Sequence, residues 1–112
     1  MRFVSEIDFQ QLRSQVNIQQ VLDLIGFLPA VRVGSRLRGP CPIHGSRYPR
    51  SRVFSVSLLH NRYRCFKCHS AGTQLDLWAE LHDLTIYAAA KDLCRRLGMP
   101  VPRHQRRTWA AK

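Results

Sequence analysis

Two short pairs of metal-ligand residues constrain this chain more than any other feature: Cys41-Pro42-Ile43-His44 and, twenty residues on, Cys65-Phe66-Lys67-Cys68. Two residues between donors let a tight turn aim both at one point about 2.0–2.3 Å away, and two such pairs close a tetrahedron. The chemistry this predicts is one zinc ion held by Cys41, His44, Cys65 and Cys68. Four protein donors leave no open coordination position, so the ion is structural and not catalytic. Three thiolates outweigh the ion's two charges, and Arg64 and Lys67 beside the ligands are expected to offset the excess. Competing donor sets are weaker. Cys94 falls on the apolar face of a helix and reads as a buried thiol, although a set with Cys94 in place of His44 is conceivable. A rubredoxin-like iron site wants four thiolates. His69 adjoins Cys68 too closely to share the site, His60 sits in a turn, and His82 and His104 belong to no cluster.

A chain of 112 residues makes one domain with a modest core, a size at which a metal often supplements burial. Around the ligand pairs the chain changes character three times. Residues 1–26 read as a helical lead, broken once. Asn17 with Gln20 forms a capping box, Ile18, Val21, Leu22 and Ile25 make one apolar stripe, and Gly26 stops the helix. Ile7, Phe9, Leu12 and Val16 suggest a shorter helix before it. Residues 27–72 are rich in Gly and Pro and read as a zinc ribbon. There Val53 to Leu58 alternates with Phe54, Val56 and Leu58 on one face, His60-Asn61 turns, and Arg62 to Phe66 returns to deliver Cys65 and Cys68. An earlier strand near Arg36-Leu37-Arg38 leads into Cys41. Helices resume over 73–98: one on Leu75, Trp78, Leu81 and Leu84, then one capped by Thr85, carrying Ile86, Ala89, Ala90, Leu93, Cys94 and Leu97, and ended by Gly98. The fold class is therefore α+β: a small zinc-ribbon-like antiparallel sheet flanked by N-terminal and C-terminal helices, one zinc-binding domain over residues 1–99. The basic stretch 100–112, with Arg103, Arg106 and Arg107, has no apolar period and is expected to be disordered or to order on a partner.

Charge is segregated. The net charge is +11, yet no Asp or Glu occurs from Leu24 to Leu75, where Arg32, Arg36, Arg38, Arg47, Arg50, Arg52, Arg62, Arg64 and Lys67 collect. A basic module between near-neutral helical flanks fits a polyanion, nucleic acid before membrane. No apolar run is long enough to span a bilayer, and the first residues lack a signal-peptide core. A cytoplasmic, reducing location, in which cysteines bind metal and do not form disulfides, is expected.

The combination Cys41-Pro42-Ile43-His44, Phe54-Ser55-Val56-Ser57, Tyr63-Arg64-Cys65-Phe66-Lys67-Cys68 and Ala71-Gly72 resembles the N-terminal zinc-binding domain of bacterial DnaG-type DNA primases, over roughly residues 16–99. That family shows Cys-Pro-Phe-His, a Pro-Ser-Phe-Ser-Val strand and Cys-Phe-Gly-Cys. Here the segment after the His is longer and more basic, Gly45 to Arg52, and Lys67 replaces the Gly between the last cysteines. The resemblance implies binding of single-stranded DNA template in replication or mobile-element DNA processing, alongside a primase core, helicase or other replication protein. The chain ends where the family's catalytic core should begin, and seven scattered acids cannot hold the divalent metal that phosphoryl transfer needs. No enzyme activity of its own is expected.

The residues support the binding role independently. Single-strand binders pair a positive groove with aromatic platforms, and the candidate contacts are Arg47, Tyr48, Arg50, Arg52, Arg62, Arg64 and Lys67. Alternation puts Arg62 and Arg64 on one face and Tyr63 on the other with Cys65, so Tyr63 belongs to the core and Tyr48 is the stacking candidate. Two other readings stay open: a zinc-ribbon adaptor that docks a protein, and a zinc domain that binds RNA or regulates transcription.

Overall fold

The computed structural model describes residues 7–45 and 48–104. Two short helices lead, α1 (Phe9–Gln15) and α2 (Ile18–Ile25). Five strands follow, β1 (Val31–Val33), β2 (Arg36–Gly39), β3 (Phe54–Ser57), β4 (Arg62–Cys65) and β5 (Ala71–Thr73), and helices α3 (Gln74–His82) and α4 (Ile86–Leu97) close the domain. The sheet is an antiparallel meander in the order β1-β2-β3-β4-β5, the α+β zinc-ribbon architecture expected.

Capping chemistry sets the helix boundaries. Asn17 Oδ1 accepts from the Gln20 amide at 2.9 Å while Gln20 Oε1 accepts from the Asn17 amide at 2.8 Å, the reciprocal box foreseen. Gly26 and Gly98 end α2 and α4 in the left-handed conformation, φ 68° and 69°, which a Cβ would disfavour. Asp8 and Thr85 cap α1 and α4. The lead is pinned to the rest by two polar side chains. Asn61 Oδ1 accepts from the Ile18 amide at 2.8 Å. Buried Gln74 donates to the carbonyls of Val16 (2.6 Å) and Arg13 (3.0 Å), satisfying the end of α1.

The core lies between one sheet face and the helices. Leu37, Phe54, Val56 and Tyr63 point inward from the strands against Val21 and Leu22 of α2 and Leu75 and Trp78 of α3. Phe54 packs on Phe27 and Tyr63 with ring centroids 5.4 and 5.6 Å apart. α4 packs on α3, where Trp78 Nε1 donates to Asp92 Oδ2 at 2.8 Å. That bond, opposed in part by burial and joined by Arg95 and Arg96, holds the Asp92 carboxyl below its usual range.

Several expectations need adjustment. α3 buries Leu77 as well as Leu75 and Trp78, because the sheet and α4 cover it from two sides. Ile86 leaves the apolar stripe of α4 and is partly exposed. Two strands had no forecast: β1, and β5, which occupies Gly72 and Thr73 before Thr73 caps α3. Just past α4 the chain meets the lead: Asp8 N donates to the Pro102 carbonyl at 2.9 Å, Ile7 bridges Arg103, and Pro102 is buried. Arg106 and Arg107 lie outside the described residues. Among the described residues no helix is long and apolar enough to cross a membrane.

Candidate metal centre and basic sheet face

Each ligand pair is presented by the end of a strand. β2 runs into the first through Gly39, where an added Cβ would lie 2.8 Å from the Phe27 ring and 3.1 Å from Pro29 Cα. Only glycine lets the α2–β1 connection close over that strand end. β4 delivers Cys65 directly, and the chain then folds back: His69 N donates to the Cys65 carbonyl at 2.9 Å and Cys65 N to the Ser70 carbonyl at 2.8 Å. His69 takes a left-handed φ of 65° to do so.

The donor atoms of Cys41, His44, Cys65 and Cys68 all lie within 4.8 Å of one another. Cys41 Sγ and Cys68 Sγ are 4.0 Å apart, and Cys65 Sγ is 3.6 Å from His44 Nδ1. A tetrahedron with Zn–S of about 2.3 Å and Zn–N of about 2.0–2.1 Å has edges of about 3.8 Å between sulfurs and about 3.6 Å from sulfur to nitrogen. The two shortest separations thus lie close to tetrahedral edges, and the four donors are near enough together to converge on one zinc ion. Cys41 and Cys65 are buried while His44 and Cys68 are exposed, so the centre bridges core and surface.

The thiols are not equivalent. Burial pushes Cys41 up to about 12, with the His44 and Ile43 amides pulling the other way and Cys65 adding to the rise. Burial also raises Cys65, but the amides of Cys68 and Lys67 (3.3 and 3.4 Å from its sulfur) and the neighbouring thiols more than offset it, so Cys65 ends below its usual value. A divalent ion relieves the penalty of packing thiolates together, and its binding releases their protons. Backbone amides thus reach the Cys65 sulfur directly. The Arg64 guanidinium lies over the Phe66 ring, 5.1 Å from its centroid, and Lys67 acts through its amide. Cys94 is buried in α4 and among the described residues belongs to no such group; burial alone raises its thiol.

The candidate nucleic-acid contacts separate into two places. β4 alternates, with Arg62 and Arg64 exposed and Tyr63 and Cys65 buried. Tyr63 is core; burial pushes it up to about 12, opposed by its 2.8 Å bond with Ser70. Tyr48, Arg50 and Arg52 lie exposed on the segment between the first ligand pair and β3, and Lys67 is exposed in the second pair. Arg47 lies outside the described residues. The register adds two arginines that the sequence reading left out of the site. Arg36 pairs with Ser57, which pairs with Arg62; Arg38 pairs with Ser55, which pairs with Arg64. One sheet face thus carries two rows, each Arg-Ser-Arg. The alternation in Arg36-Leu37-Arg38 was the available signal.

A family model described as the CHC2 zinc finger matches residues 4–109. The chain belongs to the CHC2 zinc finger family. Relatives of this CHC2 domain include a DNA primase of Halalkalibacterium halodurans, 30% identical over 94 residues (83% of this chain, 15% of that protein). Another is a DNA primase of Buchnera aphidicola, 27% identical over 101 residues (89% and 16%). The CHC2 domain thus spans about a sixth of the length of the curated relatives it matches. A crystal structure of the Aquifex aeolicus primase, comprising zinc binding and RNA polymerase domains, aligns with a TM-score of 0.63 at 27% identity, over 90% of this chain and 23% of that one. Family and donor geometry agree on one structural zinc as the cofactor of this CHC2 zinc finger.

Proposed function

We propose that Cys41, His44, Cys65 and Cys68 hold the zinc ion, and that this primase-type domain grips single-stranded DNA template on its arginine-bearing sheet face for a separate catalytic core. The ligand assignment has a direct test. Cys94→Ala keeps one zinc per chain, whereas His44→Ala binds zinc far more weakly. Metal analysis after dialysis against a mild chelator decides it, and zinc kept in the second variant but lost in the first would reverse the assignment.

The binding role rests on one observation: the two Arg-Ser-Arg rows on the solvent side of the sheet. Neighbouring strands lie about 4.8 Å apart and alternate residues about 7 Å apart along a strand. The arginines therefore start from a quadrilateral of about 10 by 7 Å on the sheet, with short serines between them. No carboxylate occupies the rows. Arg38 is already set, donating through Nε and Nη2 to the Arg52 carbonyl at 3.0 and 2.7 Å. That links the loop carrying Tyr48, Arg50 and Arg52 to the same face. Lys67, exposed in the second ligand pair, extends the positive charge. The domain contributes binding and positioning. On this reading phosphoryl transfer falls to a partner such as a primase core, with a helicase or other replication protein as a further associate.

Affinity for single-stranded oligonucleotides should fall as salt rises, with log K against log salt losing about 0.7 of slope for each phosphate contact removed. Arg62→Ala and Arg64→Ala should each show that loss, and the double variant about twice it. Binding that is absent at low salt, or indifferent to salt, sinks the proposal. Preference for a protein partner or for matched RNA in competition would redirect it.

A further inference from the structure

The ring of Phe66 sits at the zinc end of the arginine face and is half exposed, at 50%. An exposed aromatic is ordinary on a protein surface; this one differs in how it is held. Its backbone is fixed from two sides: Phe66 N donates to the Val53 carbonyl at 2.7 Å, and the residue lies between the metal-binding residues Cys65 and Cys68. Two guanidiniums reach the ring, Arg64 at 5.1 Å and Arg38 at 5.3 Å from the centroid. Arg38 is itself locked on the Arg52 carbonyl, so the cluster is arranged before any ligand arrives. Tyr48 is more exposed, at 63%, and among the described residues no ring or cation contact holds its side chain.

We infer that Phe66 is a stacking platform for one unpaired nucleobase, which takes the ring face as the Arg64 guanidinium turns from the ring to a neighbouring phosphate while Arg38 stays on the Arg52 carbonyl. This rests on the single-strand reading above and adds to it a base-contacting residue. A π face accepts any base, and a rigid ring loses little entropy on stacking. The metal centre would then act on binding through position. The knuckle that zinc closes is the segment that aims the ring, so the ion contributes to DNA affinity without touching DNA.

The test uses the zinc-loaded chain and an oligothymidylate of about twelve nucleotides, within the usual site sizes of single-strand binders. A matched oligomer of abasic residues provides the second arm. Phe66→Leu keeps apolar bulk and removes the π face. It should weaken oligothymidylate binding roughly five- to a hundredfold at fixed salt, leave the salt slope unchanged, and bind the abasic oligomer as the unaltered chain does. Phe66→Trp should retain affinity, with its fluorescence quenched on binding. Zinc content and melting temperature of each variant check folding. If Phe66→Leu binds oligothymidylate as tightly as the unaltered chain while the salt slope persists, stacking on Phe66 is wrong and the phosphate reading stands. If the unaltered chain shows no salt-dependent binding, both fail. Should Phe66→Leu not fold, an unquenched Trp or equal binding of the thymidylate and abasic oligomers still overturns the inference.

Discussion

Stripping zinc from this domain is expected to unfold it cooperatively, and Cys65→Ser should do the same without a chelator. Structural zinc contributes about 10–16 kcal/mol to zinc-finger peptides. This chain has a core of its own, so a smaller loss, at least about 5 kcal/mol, is the expectation; that matches the whole stability of many domains. The loss should spread beyond the ligands because they share strands with the core. Cys65 pairs with Phe54 across β4 and β3, and Phe54 packs tilted on Phe27 and stacked on Tyr63. Freeing the second knuckle also removes the Phe66–Val53 bond that closes the start of β3. Helical circular dichroism and released zinc should therefore change together as chelator is added. Less chelator should suffice at lower pH, since protons compete for three thiols and an imidazole. A metal-free chain that melts cooperatively within a few degrees of the zinc-loaded one would show the ion to be dispensable.

The residues that could be read in advance are those whose role is set by near neighbours. Ligand spacing, the Asn17–Gln20 box, the stops at Gly26 and Gly98 and the burial of Tyr63 all depend on residues within a few positions. What escaped depends on partners far along the chain. Arg36 and Arg38 join Arg62 and Arg64 only through a register across β3, and no local pattern states that register. β1 is three residues long and carries no clear period. Gln74 reads as a polar start to α3, yet it is buried because it reaches carbonyls some sixty residues earlier. Stacking could be sought in Tyr48 from composition alone, whereas the support around Phe66 comes from Arg38 and Val53, more than ten residues away.

Gly72→Ala should be the most damaging single-methyl change in the sheet, costing about 3 kcal/mol. Gly72 has φ 155°, a conformation outside the common range for L residues, and it faces the first turn of α3. An added Cβ would lie 2.4 Å from Asp76 Oδ2 and 2.6 Å from Asp76 Cβ. Asp76 cannot simply swing away. Its carboxylate accepts from the Thr73 amide at 2.8 Å while Thr73 Oγ1 caps the Asp76 amide, a reciprocal box at the start of α3. Backbone strain of about 1–3 kcal/mol therefore adds to a cap worth about 1 kcal/mol. At about 4–8 °C per kcal/mol for a domain near this size, the melting temperature should drop by about 12–24 °C. Asp76→Ala alone loses only the cap and should fall by about 4–8 °C. Combining the two should not rescue Gly72→Ala, because the clash with the Cβ at position 76 remains. A Gly72→Ala chain that melts no lower than Asp76→Ala would mean that β5 and α3 meet more loosely than this geometry requires.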